Sequence, residues 1–472
     1  MTHSFHPTVL REYDIRGIIG ETLGADDARA IGRSFGSMLA EAGGRKVAVG
    51  YDGRVSSPML EHALVEGLNA SGMDVVRIGM GPTPMLYYAE ASAEDVDGGI
   101  EITGSHNPAN YNGFKMVFQG RPFFGADIQE LGRRSSAGEW VDGSGSVEDR
   151  DVIDAYIARM LEALDGIDPA SLAGLKVGWD AGNGAAGPAL EKLAARLPGE
   201  HHLLFTDVDG EFPNHHPDPT VEENLADLRN LVAEKSLDFG VAFDGDGDRI
   251  GAIDGEGRVI WGDQLLMVFA EDLLTRRKGA TIIADVKASR ALFDHVAAHG
   301  GEPLMWKTGH SLIKSKMKET GSPLAGEMSG HVFFADEYYG YDDALYAGVR
   351  LIAAAARLGK SVTELRSAMP PMINTPEMRF QVDESRKFAA IGEIAGRVAA
   401  SDAVADTTDG VRVTTDDGWW LLRASNTQDV LVARAESESE EGLARLVAQI
   451  DEQLAASGLE PVTESGPTGG KL

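Results

Sequence analysis

Phe243-Asp-Gly-Asp-Gly-Asp-Arg249 places three carboxylates at alternate positions between two apolar runs, Leu237–Phe243 and Ile250–Ile253. A tight glycine-bearing loop of this kind can turn several oxygens onto one hard cation. A solvated acidic turn is the bland alternative, but a turn needs one Asp-Gly, and three clustered acids repel one another. A calcium EF-hand loop fails on spacing: counted from Asp244, position 6 is Arg249 where Gly is required, and position 12 is Gly255 where Glu is required. Three carboxylates alone leave room for a further ligand, as a catalytic Mg²⁺ requires.

A second segment, Thr103-Gly-Ser-His-Asn-Pro108, follows the strand-like run Gly98–Ile102, where α/β proteins place ligands. Ser105 beside His106 suggests a nucleophile, although the Gly-x-Ser-x-Gly pattern is not met, and an ST-turn closed by Pro108 accounts for the same residues. Lys115 stands ten residues beyond Ser105. Gly182-Asn-Gly-Ala-Ala-Gly187 satisfies G-x-G-x-x-G, with Asp207 20 residues past its last Gly. Asp180-Ala181 and Pro188 interrupt the strand-to-helix context of a dinucleotide site, so a packing loop is an equal reading. Lys307-Thr-Gly-His-Ser311, Gly326-Glu-Met-Ser-Gly-His331 and Arg423-Ala-Ser-Asn-Thr427 are polar where strands end. The last offers a guanidinium, hydroxyls, an amide and backbone N–H groups suited to an oxyanion, or an ordinary surface loop. Arg11-Glu-Tyr-Asp-Ile-Arg-Gly17 is equally open.

The elements that must hold these segments alternate. Lys46–Gly50, Asp74–Ile78 and Gly98–Ile102 read as strands, and Pro58–Ser71 carries apolar residues at helical spacing, making Lys46–Ile78 a βαβ unit. Asp151–Leu164 is a second amphipathic helix. Strand–helix alternation restarts at Leu175 and at Thr281, which predicts α/β domains with largely parallel sheets. Ser135–Asp149 and the turn Asp254–Gly257 are polar joints, and Met369–Pro376 holds three prolines, forbidding helix and reading as a linker. Beyond it, Gly410–Val413, Trp419–Arg423 and Val430–Ala435 read as strands and Glu440–Ala456 as a helix, with Ser465–Leu472 a disordered tail. The expected division is 1–149, 150–254 and 255–369, three mixed α/β domains, and 370–472, a smaller α+β domain.

Composition narrows the function classes. The chain has 472 residues, 43 Lys plus Arg against 74 Asp plus Glu, and a net charge of −31, which argues against nucleic acid or an anionic membrane as a partner. With no cysteine there is no disulfide framework, Cys-ligated zinc, Fe–S cluster or thiol nucleophile. Met1–Asp14 lacks an apolar h-region and no run approaches 18 apolar residues, so a cytoplasmic protein is expected.

Tyr13-Asp-Ile-Arg-Gly17, Thr103–Pro108, Asp244–Arg249, Gly326–His331 and Arg423–Thr427 occur in one order along nearly the whole chain. In that order the chain resembles the α-D-phosphohexomutase superfamily, and within it the bacterial phosphomannomutase/phosphoglucomutase group. The resemblance implies four domains around a central active-site cleft and a phosphohexomutase that interconverts hexose 1-phosphate and hexose 6-phosphate, of glucose or mannose, through a phosphoserine and a hexose 1,6-bisphosphate. By resemblance, Ser105 carries the phosphoryl group, and Asp244, Asp246 and Asp248 bind one Mg²⁺ per chain, with a phosphoserine oxygen of Ser105 completing its shell. Lys115 matches a general acid/base, with His106 beside the phosphoserine. Glu327 and Ser329 match sugar-hydroxyl contacts, and Arg423, Ser425, Asn426 and Thr427 the grip on the non-reacting phosphate. Tyr13, Arg16, Arg249, Lys287, Thr308, Gly309 and His310 match residues lining the cleft. Gln428-Asp429 departs from the acidic or small residue plus Pro that commonly follows the family's phosphate loop.

The implied partners are small sugar phosphates, with glucose 1,6-bisphosphate as activator, and neither nucleic acid nor membrane. Phosphoglucosamine mutase is the alternative within the superfamily. A nucleotide-dependent oxidoreductase rests on Gly182–Gly187 alone, and a non-catalytic sugar-phosphate binder is disfavoured by the Asp triplet together with Ser105.

Overall fold

Valine- and isoleucine-rich runs form the strands, and alanine- and leucine-rich stretches between them wind into helices that cover the sheets. The protein is described by a computed structural model over residues 2–426 and 429–460. In it, strand Lys46–Tyr51 leads through helix Ser57–Ala70 to strand Asp74–Met80, and the two strands pair in parallel as the spacing predicts. Pro58 sits in the first helical turn, where its missing N–H costs no hydrogen bond. Helix Ser57–Ala70 lies against helix Ala25–Glu41 through glycines: a Cβ on Gly32 would come 2.3 Å from the Leu64 carbonyl oxygen, and one on Gly67 2.2 Å from that of Arg29.

The first sheet runs Ile15–Ile18, Tyr111–Phe118, Gly98–Ile102, Lys46–Tyr51, Asp74–Met80, Val147–Asp149, with Arg121–Pro122 paired to Tyr111–Phe118. Ser135–Asp149 is therefore more ordered than its polar composition suggests. Its start lies in helix Ala126–Ala137, and its end is the edge strand Val147–Asp149, parallel to Asp74–Met80. Asp74 anchors it, accepting from the Ser146 N–H at 2.7 Å and the Ser146 hydroxyl at 2.6 Å.

The second sheet runs Val259–Ile260, Ile250–Asp254, Phe239–Phe243, Lys176–Asp180, Glu200–Leu204. Its antiparallel hairpin carries it past residue 254 to Ile260. The third runs Glu302–Trp306, Thr281–Asp285, Leu324–Gly326, Val332–Phe334. Helix Ala344–Leu358 joins the two, since Leu345, Tyr346 and Val349 share one core with Trp179, Phe243 and Phe334.

The fourth sheet is antiparallel: Ile373–Asn374, Val430–Ser437, Gly418–Ala424, Val411–Thr415, Val404–Asp406, with Met378–Gln381 also on Val430–Ser437. The proline-rich Met369–Pro376 thus contributes an edge strand, the position in a sheet that tolerates flanking prolines. Strand alternation divides Gly418–Ala424 between two faces. Trp420 and Leu422 pack under helices Glu384–Ala399 and Glu440–Ala456, whereas Trp419 and Leu421 pack on Val286 of the third domain. Arg412 fastens the same junction, donating to the carbonyls of Val286 at 2.6 Å and Ala288 at 2.8 Å. The expected tail Ser465–Leu472 lies outside the described residues. The loops after Gly98–Ile102, Phe239–Phe243, Thr281–Asp285 and Leu324–Gly326 converge at the carboxyl ends of their strands, where open α/β sheets bind ligands.

Candidate active site

Strand Gly98–Ile102 ends in Thr103-Gly-Ser105, and the Ser105 N–H donates to Thr103 Oγ1 at 2.8 Å. The ST-turn is present, and it aims the serine into the cleft. Ser105 is buried with φ +49°, a left-handed conformation that costs of order 1–3 kcal/mol in a non-glycine residue and persists only where its surroundings hold it. Asp52 and Arg54 supply that hold. Asp52 Oδ2 accepts the Gly104 N–H at 3.0 Å. The buried Arg54 guanidinium donates to the carbonyls of Ser105 (2.8 Å), Asn107 (2.6 Å), Pro108 (2.6 Å) and Tyr111 (3.0 Å). A Cβ on Gly104 would stand 2.3 Å from Arg54 Nε, so the turn requires glycine there. Sequence reasoning missed both residues; the available signal was Asp-Gly-Arg closing strand Lys46–Tyr51.

Ser105 Oγ donates to Asp244 Oδ2 at 3.0 Å and lies 3.2 Å from His106 Nδ1. Burial, with the cations Arg249, Arg16 and Lys115 nearby, holds the His106 imidazole well below its usual pKa, and so neutral. The aspartate loop closes on itself: Asp244 Oδ1 accepts the N–H groups of Asp248 (3.1 Å) and Arg249 (3.0 Å). Gly245 packs so near the serine turn that a Cβ would fall 2.5 Å from the Ser105 carbonyl oxygen, and Gly247 turns the chain at φ +72°. Thr83 grips Asp246 twice, through its hydroxyl to Oδ2 at 2.5 Å and its N–H to the backbone carbonyl at 2.8 Å.

Lys115, from strand Tyr111–Phe118, donates to Asp246 Oδ2 at 2.7 Å and Asp248 Oδ2 at 2.5 Å. Burial opposes that ammonium, but Asp246, Asp248 and Asp244 outweigh it and raise its pKa. Burial and repulsion from Asp246 and Asp248 push the Asp244 carboxyl up. The three aspartates are fully buried and each brings one oxygen within 4.8 Å of the others. Asp246 Oδ1 and Asp248 Oδ1 have no hydrogen-bond partner among the described residues. Unsatisfied hard oxygens converging in this way fit a divalent cation.

The second and third domains meet where Arg249 Nε donates to His331 Nε2 at 3.0 Å, with His331 Nδ1 2.9 Å from Asp342 Oδ2. His310 stacks on His331, ring centroids 5.6 Å apart. Glu327 Oε1 accepts the Gly309 N–H at 2.7 Å; Gly309 has φ +135°, and a Cβ there would meet the Tyr13 ring at 2.7 Å. Ser329 is half-buried in the adjoining turn. Arg16 bridges Asn107 Oδ1 at 2.9 Å and Asp14 Oδ2 at 2.5 Å, at the mouth of the serine loop.

The fourth domain closes the ring. Asn426 Nδ2 donates to the Tyr13 hydroxyl at 2.5 Å, and that hydroxyl donates to the Thr308 carbonyl at 3.0 Å. Burial, first among its causes, raises the Tyr13 pKa to about 12, so the hydroxyl keeps its proton. Asp409 Oδ2 accepts both Arg423 Nε (2.9 Å) and the Thr308 N–H (3.0 Å). Lys287 Nζ donates to Glu377 Oε2 at 3.0 Å. The Ser425 N–H bonds the Val430 carbonyl at 3.0 Å, and Thr427 lies outside the described residues. Thr83, His331, Asp342 and Asp409 were not singled out from sequence. Only His331 stood inside a segment that had drawn attention.

Gly182–Gly187 has a different task from the one its fingerprint suggested. A Cβ on Gly184 would lie 2.7 Å from the Gly245 carbonyl oxygen and one on Gly187 2.0 Å from that of Thr206, while the Ala185 N–H donates to Gly245 at 2.9 Å. The glycines let this turn press against the aspartate loop, and the dinucleotide reading falls with that.

Models of the phosphoglucomutase/phosphomannomutase family match the chain in order: alpha/beta/alpha domain I at 7–141, domain II at 154–257, domain III at 261–372 and the C-terminal domain at 377–453. The phosphomannomutase/phosphoglucomutase of Pseudomonas aeruginosa is 45% identical, over 95% of this chain and 96% of its own. The phosphoglucomutase of Neisseria gonorrhoeae is 43% identical, over 93% of this chain and 95% of its own. A crystal structure of a phosphoglucomutase/phosphomannomutase family protein from Burkholderia thailandensis aligns with a TM-score of 0.90 at 46% identity, covering 96% of this chain and 98% of that one. Among the described residues no helix is long and apolar enough to cross a membrane.

Proposed function

Because the chain belongs to the phosphoglucomutase/phosphomannomutase family and is an isomerase that relocates the phosphoryl group of a hexose phosphate, we propose that Ser105 carries that group between the C1 and C6 hydroxyls of glucose or mannose phosphates. The observation that supports this most is the 3.0 Å contact between Ser105 Oγ and Asp244 Oδ2, which joins a buried hydroxyl to a buried trio of carboxylates. A phosphoserine there is a dianion above a second pKa of about 6. Arg249, Lys115 and Arg16 supply its counter-charge. Phosphoryl transfer asks mainly for such positioning and charge neutralisation.

The P–Oγ bond of Ser105 breaks as the bond to the sugar oxygen forms, and Lys115 and His106 carry the sugar hydroxyl's proton to Oγ. The hexose 1,6-bisphosphate turns in the cleft and returns its other phosphate to Ser105. Glucose 1,6-bisphosphate activates unphosphorylated enzyme by the same transfer. Glu327 and Ser329 hold sugar hydroxyls, and Arg423, Ser425, Asn426 and Thr427 grip the phosphate that is not reacting. Tyr13, Arg16, Lys287, Thr308, Gly309 and His310 line the space between.

The unpartnered oxygens of Asp246 and Asp248 fit Mg²⁺, which Asp244, Asp246 and Asp248 would hold together with an oxygen of phosphorylated Ser105. Bound there, it neutralises charge on the phosphoryl oxygens. We place the reaction in the cytoplasm, where charged sugar phosphates are retained.

Intact-mass measurement tests the assignment. Purified protein should carry a phosphorylated fraction that Ser105→Ala abolishes, and dephosphorylated enzyme should depend on added glucose 1,6-bisphosphate. Phosphate on another residue, with Ser105→Ala fully active, would sink it.

A further inference from the structure

Among the described residues, one cluster of metal-binding side chains lies outside the cleft: Glu271, His295 and His299, with one donor atom from each within 4.8 Å of the others. Glu271 is on helix Gly262–Arg276, and His295 is on helix Arg290–Ala298 with His299 as its C-cap. Gly262 packs beneath the Glu327 carbonyl, so Glu271, nine residues on, stands roughly 13 Å further along the helix, away from the cleft. The four-residue spacing sets both imidazoles on one face, with ring centroids 4.1 Å apart.

The hydrogen bonds of these rings leave matching lone pairs. His299 Nδ1 is 2.8 Å from the His295 carbonyl oxygen and donates to it, which leaves Nε2 as the bare nitrogen. His295 is hydrogen-bonded to the Met267 backbone, and its Nε2 has no hydrogen-bond partner among the described residues. Glu271 Oε2 sits 3.5 Å from His295 Nε2 and 4.0 Å from His299 Nε2, near both and bonded to neither. Lys360 fixes the other carboxylate oxygen at 2.9 Å. A cavity of about 30 Å³ lined by Glu271, His295, Met267 and Met369 adjoins them, room for one ion or water. The C-terminal end of helix Arg290–Ala298 favours positive charge at this spot. Backbone-anchored imidazoles with a carboxylate are the usual arrangement of a transition-metal site.

We propose that Glu271, His295 and His299 form a second metal site that binds Zn²⁺ or a similar borderline divalent ion and clamps the two helices together. Two nitrogens and one oxygen suit such an ion and not Mg²⁺, which demands oxygen ligands. Metal–donor bonds of about 2.0–2.2 Å require the donors to draw in by a few tenths of an ångström to somewhat more, which exposed His299 can accommodate.

Metal-stripped full-length protein, titrated with Zn²⁺ in excess Mg²⁺ and followed by calorimetry, tests the site. Wild type and Asp246→Asn should each bind one Zn²⁺ tightly. His295→Gln and His299→Gln should weaken that binding at least about 10-fold, because removing a ligand costs no less than disturbing its support. Substituted Co²⁺ should give visible d–d absorption that both histidine variants lose. Should His295→Gln fail to fold, the exposed His299 position decides. Zn²⁺ binding that Asp246→Asn abolishes, or that both histidine variants keep, overturns the proposal.

Discussion

Arg54 donates to the Ser105 carbonyl at 2.8 Å, so the backbone of that serine is held by a guanidinium from a neighbouring strand's turn, 51 residues earlier. Four carbonyl oxygens converge on that side chain, and removing it would take a donor from each, including the buried carbonyl of Ser105.

Arg54→Lys should therefore act on stability and on rate together. One ammonium cannot replace a planar fork that serves four acceptors, and breaking a buried charged network costs about 3–5 kcal/mol. With Ser105 in its proposed role, a displacement of about 1 Å there can lower kcat by roughly 100-fold. Steady-state kinetics and thermal melting check both expectations; an unchanged kcat would show that the loop holds its own shape.

Arg423 makes a different kind of contact, since Asp409 orients it at 2.9 Å while also accepting the Thr308 N–H of the third domain. A charged hydrogen bond to a remote phosphate contributes about 1.5–3 kcal/mol, or roughly 10- to 150-fold. Arg423→Ala should lower kcat/KM on that scale, chiefly through KM, and release more bisphosphate intermediate during turnover. Arg423→Lys should recover part of the loss. Equal kinetics and equal intermediate release in all three proteins would remove this loop from phosphate binding.

Asp343 offers a pH signature away from the reacting atoms. Burial raises its carboxyl to about 6, although Tyr156 and Tyr338 each donate to it at 2.9 Å and the Tyr346 N–H caps onto it. The folded state thus binds this proton more tightly than the unfolded chain, and its contribution to stability declines as pH rises from about 4 to about 6. Asp343→Asn keeps a cap acceptor without the charge. Its melting midpoint should gain on wild type between pH 4 and pH 7, and a gap constant across that range would mean that Asp343 is ionised throughout.

Much of this architecture was legible because polarity and period change sharply at the strand ends. Asp244–Arg249 stands out between two apolar strands, and helix Glu440–Ala456 shows its own spacing. What escaped notice depends on residues brought together by tertiary structure. Asp52 and Arg54 look like a surface turn until the serine loop arrives with its carbonyls. Gly182–Gly187 has the local spacing of a phosphate cradle, but its glycines answer to the backbone of Gly245 and Thr206. Ser135–Asp149 reads as a loose joint because Asp74, which secures it, lies in a strand far earlier in the chain. Asp409 acquires meaning only when Arg423 and Thr308 flank it.

The hydrogen bond from Asn426 to Tyr13 spans 413 residues, and it gives the cleft an order of completion during synthesis. Domains fold broadly from the N-terminus as they emerge. Ser105, the aspartate loop and the Glu327 turn are all translated before Arg423 and Asn426. A nascent chain therefore assembles the serine turn and the aspartate loop before it has the Arg423–Asn426 segment that completes the ring. Until the last domain docks, Tyr13 lacks its Asn426 partner and the cleft stands open on one side.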